Sequence, residues 1–221
     1  MKALILSGGV AHEDPTTSAR LVEQLDGAGF ACEVRENFAL VEQSLPGVDL
    51  LVLNGVWWVI EPESEWHYAR FELSEAARKG FLAHLRAGKG LFALHAATIC
   101  FNDWPEWRRI LGGWWEWGQS THAPYGRFTA RITEARHPLT AGLSDFEVTD
   151  ELYTWPAFEE QPTPLLVGEW EGAEHPLLWA NDYGPARVVY NALGHGPETY
   201  DSPAACELAR RCALWASRRL G

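Results

Sequence analysis

The chain is poor in positive charge and poor in sulfur. Eighteen Lys and Arg stand against 30 Asp and Glu, a net charge of −12, which argues against nucleic acid and anionic membrane as partners because both require a basic face. The charges are interspersed along the chain, so they describe a solvated acidic surface and not a tail. The four cysteines, Cys32, Cys100, Cys206 and Cys212, show no C-x-x-C spacing, which leaves no basis for a zinc knuckle or a disulfide framework. Cys206 and Cys212 are expected on different faces of one helix. Long apolar runs are missing as well. The longest, residues 50–60, is broken by Asn54 and Gly55 and falls short of the roughly 18 residues a membrane helix needs. Nothing at Met1 resembles a signal peptide, and a cytoplasmic protein is expected. Gly8-Gly9 is too little for the G-x-G-x-x-G turn of a dinucleotide site, so no nucleotide is expected.

What the chain does have is apolar content, 47% over 221 residues, and 12 tryptophans. That is enough for one domain over residues 1–221 with a substantial core. Buried-strand runs at residues 2–6, 31–35, 48–53 and 91–94 alternate with helical patterns. One helix begins near Thr16 or Thr17, capped by Thr17 or Ser18, and another spans 74–87. Such alternation predicts a doubly wound α/β sheet. Further strands are expected at 128–132, 146–148, 164–170, 175–180 and 186–191, a short helix at 104–111, and a closing amphipathic helix whose apolar face carries Ala205, Leu208, Ala209, Cys212, Trp215 and Ala216.

Chemistry-bearing residues fall where these strands should end. In G-K-G-L-F-A-L-H-A-A-T-I-C, residues 88–100, an apolar strand stops on His95. Ala93 and Ala97 on either side let the strand turn sharply into a helix, the steric logic of a nucleophile elbow with histidine in place of Ser or Cys. Ligands in open α/β sheets bind at the carboxyl ends of strands, which makes His95 the first site candidate against the alternative of a hydrogen-bonded core histidine. His12 lies in the loop after the first strand. The stretch 56–68, with Trp57, Trp58, Trp66, His67 and Tyr68, reads as an inserted aromatic loop over the same edge. His122, before Ala123-Pro124, reads as a loop residue. Asp150-Glu151-Leu152-Tyr153 places two adjacent carboxylates at a strand end, either a solvated turn or a site acid. His195 sits between Gly194 and Gly196, its backbone freed for an unusual placement.

The order of five motifs resembles the ThuA-like (trehalose utilisation) family: S-G-G-V-A-H-E near the start, G-K-G-L-F-A-L-H-A-A-T, H-P-L-T-A-G-L, D-E-L-Y, and R-V-V-Y-N-A-L-G-H ending at His195. The resemblance implies an α/β fold of class I glutamine amidotransferase type, a flavodoxin-like three-layer α/β/α sandwich with a mostly parallel sheet. It does not imply glutamine hydrolysis, which needs a thiolate at the elbow. Here His95 holds that position, Cys100 is expected inside the following helix, and in His195-Gly196-Pro197-Glu198 the glutamate stands one residue too far for the amidotransferase His-x-Glu.

The family pattern places His95, His122, Glu151 and His195 on one edge of the sheet, as an acid–base set or as ligands of a divalent metal, zinc first. The function implied is a hydrolase, lyase or isomerase of carbohydrate catabolism acting on a sugar or keto-sugar. Trp57, Trp58, Trp114, Trp115 and Trp117 would supply a stacking platform, with His12 and Tyr153 beside it. The competing reading is a non-catalytic binding or interface module on an amidotransferase-like scaffold. Convergence of the histidines separates the two. The aromatic loops also predict a homo-oligomer.

Overall fold

The apolar runs become the strands of a nine-stranded sheet in a computed structural model that describes residues 1–9, 14–59, 70–134 and 136–220. The chain runs β1 (Lys2–Gly9), α1 (Asp14–Gly27), β2 (Ala31–Arg35), α2 (Ala39–Glu42), β3 (Leu50–Val56), α3 (Glu75–Arg86) and β4 (Gly90–Leu94). After a 3-10 turn at His95–Thr98 come α4 (Pro105–Leu111), β5 (Thr121–His122), β6 (Gly126–Ile132), β7 (Phe146–Asp150) and β8 (Tyr153–Thr154). The chain closes with β9 (Leu166–Trp170), β10 (Ala173–Tyr183), β11 (Ala186–Asn191), a 3-10 turn at Pro197–Asp201 and α5 (Pro203–Ala216).

The strand order is β2-β1-β3-β4-β11-β10-β9-β6-β7. The first five are mutually parallel, in the 2-1-3-4-5 order of flavodoxin-like folds. Their central members β3 and β4 are buried at every position, as a sheet covered on both faces requires. Helices α1 and α5 pack together, α2 and α3 pack together, and β4 touches both α5 and α3, which gives the three layers. The remaining four strands extend the sheet by antiparallel pairing.

Direction along this sheet decides where the strand ends fall. β10 reverses β11, β9 reverses β10, β6 reverses β9 and β7 reverses β6. Four reversals leave β7 pointing the same way as β4 and β11. The carboxyl ends of β4, β7 and β11 therefore lie on one edge, and β7 packs against the 3-10 turn that follows β11.

Several local expectations are corrected. Thr17 and Ser18 are not caps, since α1 starts at Asp14 and both lie buried inside it. Asn54 Nδ2 donates to Thr17 Oγ1 at 3.1 Å and to Ser18 Oγ at 2.8 Å, and Ser18 Oγ donates to Ser7 Oγ at 2.7 Å, so these hydroxyls tie the helix to β1 and β3. Cys206 and Cys212 are both buried, because α5 is covered on more than one side. Cys100 lies in a turn beyond the 3-10 segment, its thiol donating to Gly55 O at 3.3 Å. Among the described residues, no helix is long and apolar enough to cross a membrane.

Candidate active site at the carboxyl edge

His95 follows directly on β4 and takes φ = 39°, a left-handed conformation that costs a non-glycine residue on the order of 1–3 kcal/mol. The turn is held by its own carbonyl, which accepts from Tyr190 Oη at 2.7 Å. Ala93 and Ala97 beside it are fully buried, so larger side chains at either position would collide with their surroundings. The expected elbow is present, and it turns the buried imidazole toward the ends of β7 and β11.

Three side chains from three separate segments meet there. His95 Nε2 lies 3.2 Å from His195 Nδ1 and 3.4 Å from Glu151 Oε2, and His195 Nδ1 lies 3.2 Å from the same carboxylate oxygen. His122 approaches from the other side, its Nδ1 2.9 Å from Glu151 Oε1. His122 is on a strand rather than in a loop: the two-residue pair β5–β8 sets it opposite Tyr153. Tyr153 is packed 4.1 Å from the His95 ring and 5.0 Å from the Trp115 ring.

The partners fix the proton positions. His95 Nδ1 is 2.6 Å from Ala192 O, and a carbonyl can only accept, so Nδ1 carries a proton and Nε2 is the nitrogen that faces His195 and Glu151. His122 Nδ1 faces two acceptors, Glu151 Oε1 and Ala123 O, and is likewise the donor. Burial pushes the Glu151 carboxyl upward, but the His195 and His95 rings against it outweigh this and hold it well below the usual carboxylate range. Burial, reinforced by Tyr190 and the Glu151 and Asp150 carboxylates, keeps the Tyr153 phenol far above its ordinary value, so its hydroxyl stays protonated.

His95 Nε2, His195 Nδ1 and Glu151 Oε2 form a nearly equilateral triangle with edges of 3.2–3.4 Å. Ligands at 2.0–2.1 Å from a tetrahedral zinc lie about 3.3–3.4 Å apart. Among the described residues these three form the one group with the donor types and spacing for a metal ion. The groups of the triangle are themselves held from behind: Ala192 O accepts from the far nitrogen of His95 and His122 bonds the far oxygen of Glu151, an arrangement that metal-binding imidazoles and carboxylates use. His122 itself thereby pairs with one member of the triangle and stands outside it.

The aromatic candidates divide. Trp57 is a core residue, buried among Phe38 and Phe71 at ring distances of 5.2 and 6.4 Å, and does not serve as a platform. Trp58 is also buried, but its ring backs the exposed Trp117 at 6.4 Å. Trp114 is engaged elsewhere, donating to Glu116 Oε2 at 2.7 Å beneath the Arg108 guanidinium. Trp115 and Trp117, 6.2 Å apart, remain as the aromatic wall beside Tyr153. His12, Trp66, His67 and Tyr68 lie outside the described residues. Two contributors were not singled out from sequence. Tyr125 sets its ring 5.2 Å from His195 and donates to Glu198 Oε2 at 2.8 Å, and Thr199 donates to Asp150 at 2.6 Å. Neither carries a spacing signal, although Tyr125 follows His122-Ala123-Pro124 directly.

Comparison with known proteins settles the family. A family model described as trehalose utilisation matches residues 2–216. The chain belongs to the ThuA family. No curated protein matches its sequence. Among solved structures, a ThuA-like protein from Parabacteroides merdae superposes with a TM-score of 0.82 at 20% identity, covering 98% of this chain and 90% of that one. A ThuA-like protein from Bacteroides uniformis gives 0.71 at 18% identity, covering 98% and 91%. A GMP synthase component from Thermoplasma acidophilum gives 0.55 at 11% identity, covering 97% and 95%, so the amidotransferase-like architecture is shared. At these identities the likeness concerns the fold.

Proposed function

We propose that this ThuA family member is an enzyme of carbohydrate metabolism, a hydrolase, lyase or isomerase acting on a sugar or keto-sugar, with His95, Glu151 and His195 holding a divalent cation, zinc first. The observation that carries the reading is the triangle of two imidazole nitrogens and one carboxylate oxygen, contributed by the ends of β4, β7 and β11. Non-catalytic packing gives no reason for three chain segments to bring three polar ligand atoms together in a largely buried corner, where each must be desolvated.

A bound cation supplies Lewis-acid polarisation of a sugar oxygen. The chain's own groups supply the rest. Tyr153, a phenol kept neutral by burial, donates a hydrogen bond to a carbonyl or glycosidic oxygen. His122, whose side chain is half exposed and bonded to Glu151, exchanges protons with solvent at the open side. Trp117, beside Trp115, and Tyr125, beside His195, are both exposed and offer faces for a pyranose ring. The family description supports the choice of substrate class.

Two measurements test the reading. Protein purified without an affinity tag and supplemented with zinc is expected to hold about one equivalent, and His95→Ala is expected to lose both the metal and turnover of a keto-disaccharide while keeping its circular dichroism spectrum. Turnover unchanged in His95→Ala removes that residue from the mechanism. Well below one equivalent of any transition metal returns the three residues to acid–base roles.

A further inference from the structure

We infer that Asp150 is the positioning residue of this site: one buried carboxylate that sets the placement of both Glu151 and His195. The inference rests on the reading of those residues as the working centre, and goes beyond it by assigning the group that assembles them. Asp150 is the last residue of β7 and has no exposed surface. Its Oδ1 accepts from the backbone N–H of Glu151 at 2.8 Å and of His195 at 3.1 Å. Its Oδ2 accepts from the N–H of Gly194 at 2.8 Å and from Thr199 Oγ1 at 2.6 Å. All four donors thus belong to the two ligand-bearing segments, 151 and 194–199, and none to the hydrophobic core.

The backbone around His195 is shaped to serve this carboxylate. Gly194 takes φ = 125°, open to glycine and strained for other residues. That conformation turns the consecutive N–H groups of residues 194 and 195 toward one point, an anion-binding concavity. With His195 N fixed on Oδ1 and Glu151 N fixed on the same oxygen, the two side chains leave one anchor in the direction of His95.

Asparagine has nearly the same volume but replaces one acceptor oxygen with a donor. The Thr199 hydroxyl can rotate to accept, whereas the backbone N–H groups cannot. Asp150→Asn therefore leaves at least one amide facing another donor and frees the 194–196 segment to move. Groups that orient metal ligands from behind typically cost roughly 10- to 100-fold in metal affinity when altered, and that loss of zinc affinity is expected for Asp150→Asn.

The test compares the wild type with Asp150→Asn, with the milder Thr199→Val, and with Ser18→Ala, which removes a buried hydroxyl between α1 and the ends of β1 and β3. Zinc affinity is read by chelator competition and folding by thermal melting. Zinc affinity lost in Asp150→Asn, reduced in Thr199→Val and unchanged in Ser18→Ala at comparable loss of Tm supports positioning. Wild-type affinity in Asp150→Asn overturns it. If Asp150→Asn does not fold, Thr199→Val decides by the same criterion. If the wild type takes up no zinc, the metal reading fails on its own, and positioning is read from the 15N resonances of the His95 and His195 rings: displaced in the variant they support it, unmoved they overturn it.

Discussion

Acidification should weaken this fold through one histidine far from the candidate site. His84 lies on α3 with 4% of its surface exposed, and its Nε2 donates to Gly90 O, 3.0 Å away at the start of β4. Burial is the main cause that pushes its pKa from the ordinary 6.5 down to about 4; Lys89 adds to the depression, while Gly90 O and Asp49 oppose it. The folded protein thus keeps this ring neutral between pH 6.5 and 4, while the unfolded chain protonates it. Protons taken up by the unfolded state draw the equilibrium toward unfolding as pH falls, so this contribution is fully present above pH 6.5 and disappears progressively down to about pH 4. At about 1.4 kcal/mol per tenfold change, the depression corresponds to about 3 kcal/mol. His137 and His175 are lowered in the same direction by burial, and Asp49 and Glu207, held low by basic neighbours despite some burial, add losses at more acid pH. A comparison with His84→Gln cancels these, because glutamine can donate to the same carbonyl and does not titrate. Urea unfolding at pH 7, 6, 5 and 4 should show the wild type losing about 3 kcal/mol more than His84→Gln over that range. Parallel pH dependences for the two proteins refute the argument.

The tryptophans give a paired prediction. Trp57→Ala should cost about 3–5 kcal/mol of stability through the cavity it leaves among Phe38 and Phe71, whereas Trp117→Ala, at a position 55% exposed, should change stability by less than about 0.5 kcal/mol and instead raise KM for a sugar substrate; differential scanning calorimetry and kinetics read the two. A homo-oligomer is expected from the exposed rings of Trp117, Trp155 and Trp170, since exposed aromatic surface favours association, and light scattering at micromolar concentration that returns a mass near 24.8 kDa contradicts it.

The parts of the site that were legible in the sequence are those set by local sterics. An apolar run ending on His95 between Ala93 and Ala97 has few ways to continue, and the strand ends at 94 and 191 follow from composition and turn residues, whereas β7 runs to Asp150, two residues beyond the expected end at 148. What the sequence left open depends on partners distant in the chain. Asp150 and Glu151 are adjacent and chemically alike, and nothing local says that the first turns inward to backbone amides at 194 and 195 while the second faces the histidines. Trp57 and Trp58 are neighbours too, yet one enters the core beside Phe38 and the other backs Trp117, because adjacent residues of an extended chain point to opposite sides. The pair β5–β8, with two residues in each strand, is too short to leave a periodic pattern, although it fixes His122 against Glu151. Convergence itself depends on a count that composition cannot supply. With one antiparallel strand more or fewer between β11 and β7, the last strand would run the other way, and Glu151 would emerge at the opposite edge from His95 and His195. The candidate centre is thus a property of sheet topology, and Asp150, bonded to both segments where they meet, is the residue at which that topology becomes a fixed geometry.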